Sequence, residues 1–336
     1  MNRRELIAAL VALGAAAGSH YLHAQPRPGK RPYRIGFTLP FVSATIREFN
    51  VAAMRELGWR ENQDFVFFDS GIPYDTSRSE EVARKVLDGK PDLILVTSTA
   101  HAVAAHRLTK TIPIVMFSSG YPVEAGVANS LARPGKNVTG NSLYAGTGIW
   151  GKLLELLRDS KPGIKRVGVL WSYVPPAFPV EEIEPCYRDL RRDAGALGMT
   201  IQIVEVPAPD RLPSALDEVA AGKPEALLTT AGMLTWESWT RIMQFASERR
   251  LPTILDWQPL PGDKRPQPLL AYAPDLEDLR RRTYAYIDRI LKGANPGDLP
   301  IQQPAKFALT VNLRTAKAIG LKLPRLLLLR ADRVIE

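Results

Sequence analysis

The chain has 336 residues, 45% of them hydrophobic and 24% charged, with a formal net charge of +9 at pH 7 and a single cysteine. That length suits two domains of about 150 residues each, and the composition excludes a long disordered segment and a disulfide scaffold. With Cys186 alone no internal disulfide can form, so packing has to supply the stability.

In chain order, residues 1–24 read as an export signal: a basic start at Arg3 and Arg4, an apolar or small-residue run from Leu6 to Ala17, and small residues suited to a signal peptidase. The run is shorter than the roughly 20 residues a membrane-spanning helix needs, so cleavage near Ala24 and a soluble periplasmic protein are expected. The first strand is expected in "YRIGFTLP" from Tyr33. The helix after it, "IREFNVAAMRELGW", places Ile46, Phe49, Ala53 and Leu57 on one face and ends at Gly58.

Next comes a corner that the chain writes twice. "GKPDLILVTS" starts at Gly89 and "GKPEALLTTA" at Gly222. Each follows a helix with buried-face apolar residues (Val82 and Val86; Leu216 and Val219). Gly89 and Gly222 are expected in the left-handed conformation that closes a helix, and Pro91 and Pro224 forbid its continuation. The apolar runs that follow lack alternation, as in strands of a parallel sheet covered on both faces. "YRIGFTLP" is echoed by "KRVGVLWS" at Lys165, and "TIPIVMFSS" at Thr111 by "RLPTILDWQ" at Arg250.

Each half therefore reads β-α-β-α-β-α-β. The fold class is α/β, with two doubly wound Rossmann-like lobes, a hinge and an interlobe cleft where the strands' C-terminal loops gather. The expected limits are 33–145 for the first lobe, completed by about 257–297, and 146–256 for the second, completed by about 298–336. The triplet Arg280, Arg281 and Arg282 follows Glu277 and Asp278 as on a solvated helix face, so nucleic acid is not an expected partner.

Several stretches, "ELGWRENQDF", "DLILVTSTAHAVAA", "SLARPGKNVTG", "KLLELLRDSKPGIKRVGVLW", "DLEDLRRRTYAYIDRILKGANPGDLP" and the ending "LLLRADRVIE", closely resemble the ABC transporter substrate-binding proteins of the TrpX-like, tryptophan/tyrosine-type family. The resemblance spans Tyr33 to Glu336. It implies a type I periplasmic-binding-protein fold, no chemistry, and delivery of a captured solute to an ABC permease in the inner membrane.

Thr97, Ser98 and Thr99 stand between a buried strand and the helix "AHAVAAHRL", where hydroxyls and free N–H groups meet the positive end of a helix dipole. This corner suits a carboxylate, and it equally suits a plain helix cap. The resemblance favours the carboxylate seat. Thr229 and Thr230 form the equivalent corner of the second half, and Ser118 and Ser119 end the next strand of the first. Asn141 and Ser172, at two further strand ends, and Asp256, at the expected crossing, complete the polar candidates. Phe41, Tyr121, Trp171, Trp236, Trp257 and Tyr272 are aromatic residues expected near the rim, of which two or three would touch ligand while the rest are lobe core.

Two positions depart from the family pattern. Tyr121-Pro122 stands where relatives typically carry Asp-Pro, and Ala231-Gly232 where many carry Asp-Asn. Without those carboxylates a ligand ammonium would be buried unpaired, so an aromatic or apolar carboxylate is expected, with an amino acid as the alternative. A periplasmic ligand sensor is the rival function, and a hydrolase a weaker one. Outside the leader only His101 and His106 are available as bases, no Gly-x-Ser-x-Gly elbow or phosphate loop occurs, and no histidine and carboxylate spacing suits a metal. No catalytic residue, metal or cofactor is assigned, and a monomer is expected.

Overall fold

The computed structural model describes residues 31–39, 44–72, 78–143, 148–172, 180–230, 238–259 and 265–336. The leader, Phe41, Trp236 and Ala231-Gly232 lie outside these residues. Two separate sheets form. The first holds β1 (Tyr33–Phe37), β2 (Phe65–Asp69), β3 (Leu93–Val96), β4 (Ile114–Ser119) and β5 (Val138–Ser142) in the order β2-β1-β3-β4-β5, all parallel. The second holds β6 (Arg166–Trp171), β7 (Thr200–Glu205), β8 (Ala226–Thr229), β9 (Thr253–Leu255), β10 (Leu270–Pro274), β11 (Phe307–Asn312) and β12 (Arg333–Ile335) in the order β12-β11-β10-β9-β8-β6-β7. The order of the first sheet thus recurs in the second as β7-β6-β8-β9-β10, and only the β10–β11 pair is antiparallel.

The repetition reaches the register. Ile35 pairs with Leu93 and Ile94 with Ile114 in the first sheet; Val167 pairs with Ala226 and Leu227 with Thr253 in the second. It also includes a polar clamp. The Arg34 N–H donates to Asp92 at 2.7 Å and its Nε to the Gly89 carbonyl at 2.7 Å, while the Arg166 N–H donates to Glu225 at 3.0 Å and its Nε to the Lys223 carbonyl at 2.9 Å. In each half one arginine ties the end of a helix to the strand that follows it.

The helix ends differ from expectation by one residue. Gly89 (φ −70°) and Gly222 (φ −72°) stay right-handed, and the left-handed residues are Lys90 (φ 51°) and Lys223 (φ 49°). The glycines serve close approach instead: a Cβ at Gly89 would sit 2.2 Å from the Phe68 ring, and one at Gly222 would sit 1.9 Å from Gln202 Oε1.

Helices α1 (Ala44–Glu56), α2 (Ser79–Asp88) and α3 (Thr99–Leu108) flank the first sheet; α4 (Gly148–Ser160), α5 (Val180–Ala196), α6 (Leu212–Ala221) and α7 (Trp239–Glu248) flank the second. On α1 the expected stripe is displaced: Val51, Ala53 and Met54 are buried, while Phe49 and Leu57 pack at the core's margin. Val82, Val86, Leu216 and Val219 are buried as their spacing requires. No helix among the described residues is long and apolar enough to cross a membrane.

The return of the chain runs differently from the expected limits. β10, within the 257–297 segment assigned to the first lobe, is a strand of the second sheet. Its residues Leu270, Ala271 and Ala273 are buried, and it is hydrogen-bonded on both sides, to β9 and β11, which an apolar strand needs. Asp256 accordingly lies between two neighbouring strands of one sheet, not at a step from one sheet to the other. Helix α8 (Leu276–Leu291) does return to the first lobe, where Leu279, Tyr284, Ile287 and Leu299 join its core, and β11 then re-enters the second sheet.

That return explains how a polar strand is buried. β5 reads Val-Thr-Gly-Asn-Ser and is buried throughout. Thr139 Oγ1 donates to the Leu299 carbonyl at 2.7 Å, and Asn141 Nδ2 donates to Thr283 Oγ1 of α8 at 2.8 Å. Arg280 also departs from expectation. It is buried, not solvated, and its guanidinium spans from Glu277 on α8 to Glu56 on α1 at 3.0 Å. Arg281 and Arg282 do pair with Asp278, at 2.6 and 2.7 Å.

Candidate functional site

Among the described residues, the candidates other than Tyr272, which is in the middle of β10, stand at or just after the C-terminal ends of strands of both sheets. At the β3–α3 corner the three adjacent hydroxyls part company. Ser98, extended at φ −149°, is the N-cap of α3: its Oγ accepts the His101 N–H at 3.2 Å and lies 3.0 Å from His101 Nδ1. Thr99 Oγ1 accepts the Gly120 N–H at 2.8 Å, fixing the end of β4 to the start of α3. Thr97 Oγ1 is buried and has no hydrogen-bond partner among the described residues. Of the proposed carboxylate seat, Ser98 and Thr99 hold the corner together, and Thr97 keeps its hydroxyl available.

The same division holds at the end of β4. Ser118 Oγ donates to the Thr97 carbonyl at 3.1 Å, whereas Ser119 Oγ is buried without a partner. In the second lobe Ser172 and Thr230 satisfy one another, with the Ser172 N–H donating to Thr230 Oγ1 at 2.9 Å and the hydroxyls 3.0 Å apart. The neighbouring Thr229 Oγ1 is buried and unpartnered. A buried hydroxyl without a partner costs about 1–3 kcal/mol, and Thr97, Ser119 and Thr229 carry such hydroxyls at strand ends in both lobes. Of the two threonines expected at this corner, Thr230 is bonded to Ser172 and Thr229 keeps a hydroxyl without a partner among the described residues.

Asn141 is buried, and its amide nitrogen is spent on Thr283, Leu279 and Phe117 of the first lobe; its Oδ1 has no partner among the described residues. It holds α8 against β5. Asp256 follows β9 partly exposed. Trp257 is half-buried and packs against the cores of both lobes.

Trp171 is not at the rim. It is fully buried in the second lobe's core between Trp150 and Tyr187, with ring centroids 5.1 and 5.0 Å away. As the last residue of β6 its side chain turns under α4 and α5, where an indole fills the space that a smaller residue would leave empty. Tyr272 likewise stacks on Phe307 across the β10–β11 pair at 5.5 Å. Tyr121 follows β4 of the first lobe, yet its ring is buried in the second lobe's core cluster with its hydroxyl 3.2 Å from Cys186 Sγ on α5. The two histidines serve the fold: His101 is fully buried against Ser98, and His106 Nδ1 lies 2.7 Å from Asn137 Oδ1, where burial pushes its pKa down.

The division predicts distinct phenotypes. Ser98→Ala should lower stability by about 1 kcal/mol, the usual worth of an N-cap, with ligand affinity changed less than threefold. Urea denaturation with a binding isotherm on the same sample measures both.

The family described as ABC transporter substrate binding protein matches residues 48–335. A tyrosine-binding protein of Clostridioides difficile is 26% identical over 274 residues, covering 81% of this chain and 75% of the relative. Among solved structures, an ABC domain in complex with L-Trp from Streptococcus pneumonia superposes with a TM-score of 0.74 at 22% identity, covering 90% of this chain and 100% of that one. The ligand-free, open structure of a substrate-binding protein with adhesive properties from Clostridium difficile gives 0.62 at 25% identity, covering 90% and 99%. The fold is that of the type I periplasmic binding proteins, and the chain belongs to the family of ABC transporter substrate-binding proteins.

Proposed function

We propose that this protein is the periplasmic solute-binding component of an ABC importer, that it captures a small aromatic or apolar carboxylate between its lobes, and that it passes the solute unchanged to a permease of the inner membrane. The observation that carries the reading is the set of buried, unpartnered hydroxyls at the ends of β3, β4 and β8, Thr97, Ser119 and Thr229, which belong to both lobes. A carboxylate accepts hydrogen bonds from such donors, and bonds of this charge-assisted kind are about twice as strong as neutral ones. A ligand that bonds to both lobes favours the closed arrangement, since differential affinity for two states is what shifts their populations.

The family and the named relatives, one tyrosine-binding and one in complex with L-Trp, support an aromatic solute. The substitution pattern argues against a free ammonium on it. Tyr121-Pro122 and Ala231-Gly232 provide no carboxylate, and Asp256 is the acidic residue at the end of a central strand. A zwitterion would then depend on Asp256 alone among the described strand-end candidates to pair its positive charge, where relatives typically offer further carboxylates.

A thermal-shift panel of indole-3-acetate, phenylacetate, L-tryptophan and L-tyrosine tests the proposal. At a hundredfold excess over Kd a ligand contributes about 2.7 kcal/mol, an upward Tm shift of roughly 5–10 °C for lobes of this size. Stabilisation by the simple acids exceeding that by the amino acids is expected. Stabilisation by the amino acids alone would contradict the ligand class.

A further inference from the structure

Tyr121 is a side chain of one lobe seated in the other. It directly follows β4, and the backbone around it is held on both sides. The Gly120 N–H is bonded to Thr99 Oγ1 at 2.8 Å, and the Gly120 carbonyl accepts Ser142 Oγ at 3.0 Å. Beyond it, the Tyr121 carbonyl accepts the Ala125 N–H at 2.9 Å, and the Pro122 carbonyl accepts the Val127 N–H at 3.0 Å. Tyr121 therefore stands on a segment fixed to the first lobe.

Its ring, only 5% exposed, lies in the second lobe's core cluster, which includes Trp150, Trp171, Ile183, Cys186 and Tyr187. Its hydroxyl meets Cys186 Sγ at 3.2 Å. The thiol is itself 1% exposed. A tyrosine suits this place because its apolar body fills the pocket while its polar tip finds a partner. Lobes that separate have to withdraw the ring and uncover the thiol together.

We propose that Tyr121 is an interlobe positioning residue: seated against Cys186, it favours the closed arrangement and so sets ligand affinity, without itself being required as a ligand contact. Ser119, whose buried hydroxyl is a candidate ligand contact, lies two residues earlier on the same fixed segment. A ligand at Ser119 and the ring at Tyr121 thus bias the same movement. If the competent state is populated a tenth as often, apparent affinity falls tenfold with every direct contact intact. This proposal rests on the reading that ligand binds between the lobes.

Cys186 is the chain's only cysteine, so thiol labelling reports on this contact without a background signal. The experiment compares the ligand-free wild-type protein, Tyr121→Phe and Tyr121→Ala. A bulky polyethylene-glycol maleimide reads the labelling rate, and small-angle X-ray scattering reads the radius of gyration. Expected is labelling at least tenfold faster in Tyr121→Ala with a larger radius of gyration, and rates within threefold of wild type in Tyr121→Phe, which keeps the apolar seat. Equal labelling rates, or faster labelling with an unchanged radius, would overturn the proposal, the latter because the alanine would only have opened a hole above the thiol. If Tyr121→Ala loses its far-UV circular dichroism, Tyr121→Leu takes its place in the same comparison. Because these measurements use no ligand, a failure of the latch is distinguishable from a failure to find a ligand.

Discussion

Thr97→Val combined with Ser119→Ala is expected to weaken binding of an aromatic carboxylate by about a hundredfold or more, while thermal stability stays the same or rises. Each hydroxyl that donates to a charged group contributes about 1.5–3 kcal/mol, and two such losses correspond to at least two powers of ten in Kd. The stability expectation has the opposite sign because both hydroxyls are buried without partners in the protein itself. Replacing them by apolar groups of similar shape removes a desolvation penalty from the folded state. Loss of affinity with gain of stability is the signature of a site held ready for a partner. Calorimetric titration of the variant and its parent, with a melting curve of each, decides the matter. A fall in both affinity and stability would assign these hydroxyls to the fold.

Gly140→Ala is expected to destabilise the protein by at least about 3 kcal/mol, a fall in Tm of roughly 6–12 °C, or to prevent soluble expression. Gly140 lies in β5 at φ 129°, a conformation side chains rarely adopt, and a Cβ there would stand 2.2 Å from the Met116 carbonyl oxygen and 2.5 Å from its nitrogen. Both atoms are backbone of the adjacent strand, so no side chain can yield. The β4–β5 register also shifts between Met116 and Ser119, and displacement of β5 would disturb Ser119 and the grip of Asn141 on α8. A melting curve within about 2 °C of the parent would contradict this account.

The duplicated architecture was legible because buried parallel strands are apolar runs, and because the Gly-Lys-Pro corners mark where each begins. Ile35, Ile94 and Ile114 of the first sheet and their counterparts Val167, Leu227 and Thr253 fall in matching register, as the quoted repeats imply. What escaped the sequence has physical reasons. β5 is expected as a strand ending near Asn141, but its burial was not legible, since it has no apolar run and its Thr139 and Asn141 are satisfied by α8 and the segment after it, more than a hundred residues away. β10 resembled the start of the return to the first lobe because strand membership depends on pairing on both edges, which no local pattern records.

The site was legible as a region and not as a set of atoms. Three hydroxyls in a row, Thr97 to Thr99, are equivalent in one dimension. They become a spare donor, a helix cap and a strand tie only once the extended backbone of Ser98 aims each in its own direction. Trp171 and Tyr121 were ambiguous for the opposite reason. One ends an apolar strand and the other follows one, but the first belongs to its own lobe's core and the second reaches into its neighbour's.

Equilibrium dialysis of the chain against a mixture of aromatic carboxylates, with mass spectrometry of both compartments, tests the central claim most directly. The account predicts that one compound accumulates on the protein side to one molecule per chain and is recovered with its mass unchanged. Retention of none of them, or a product whose amount grows with time, would contradict it.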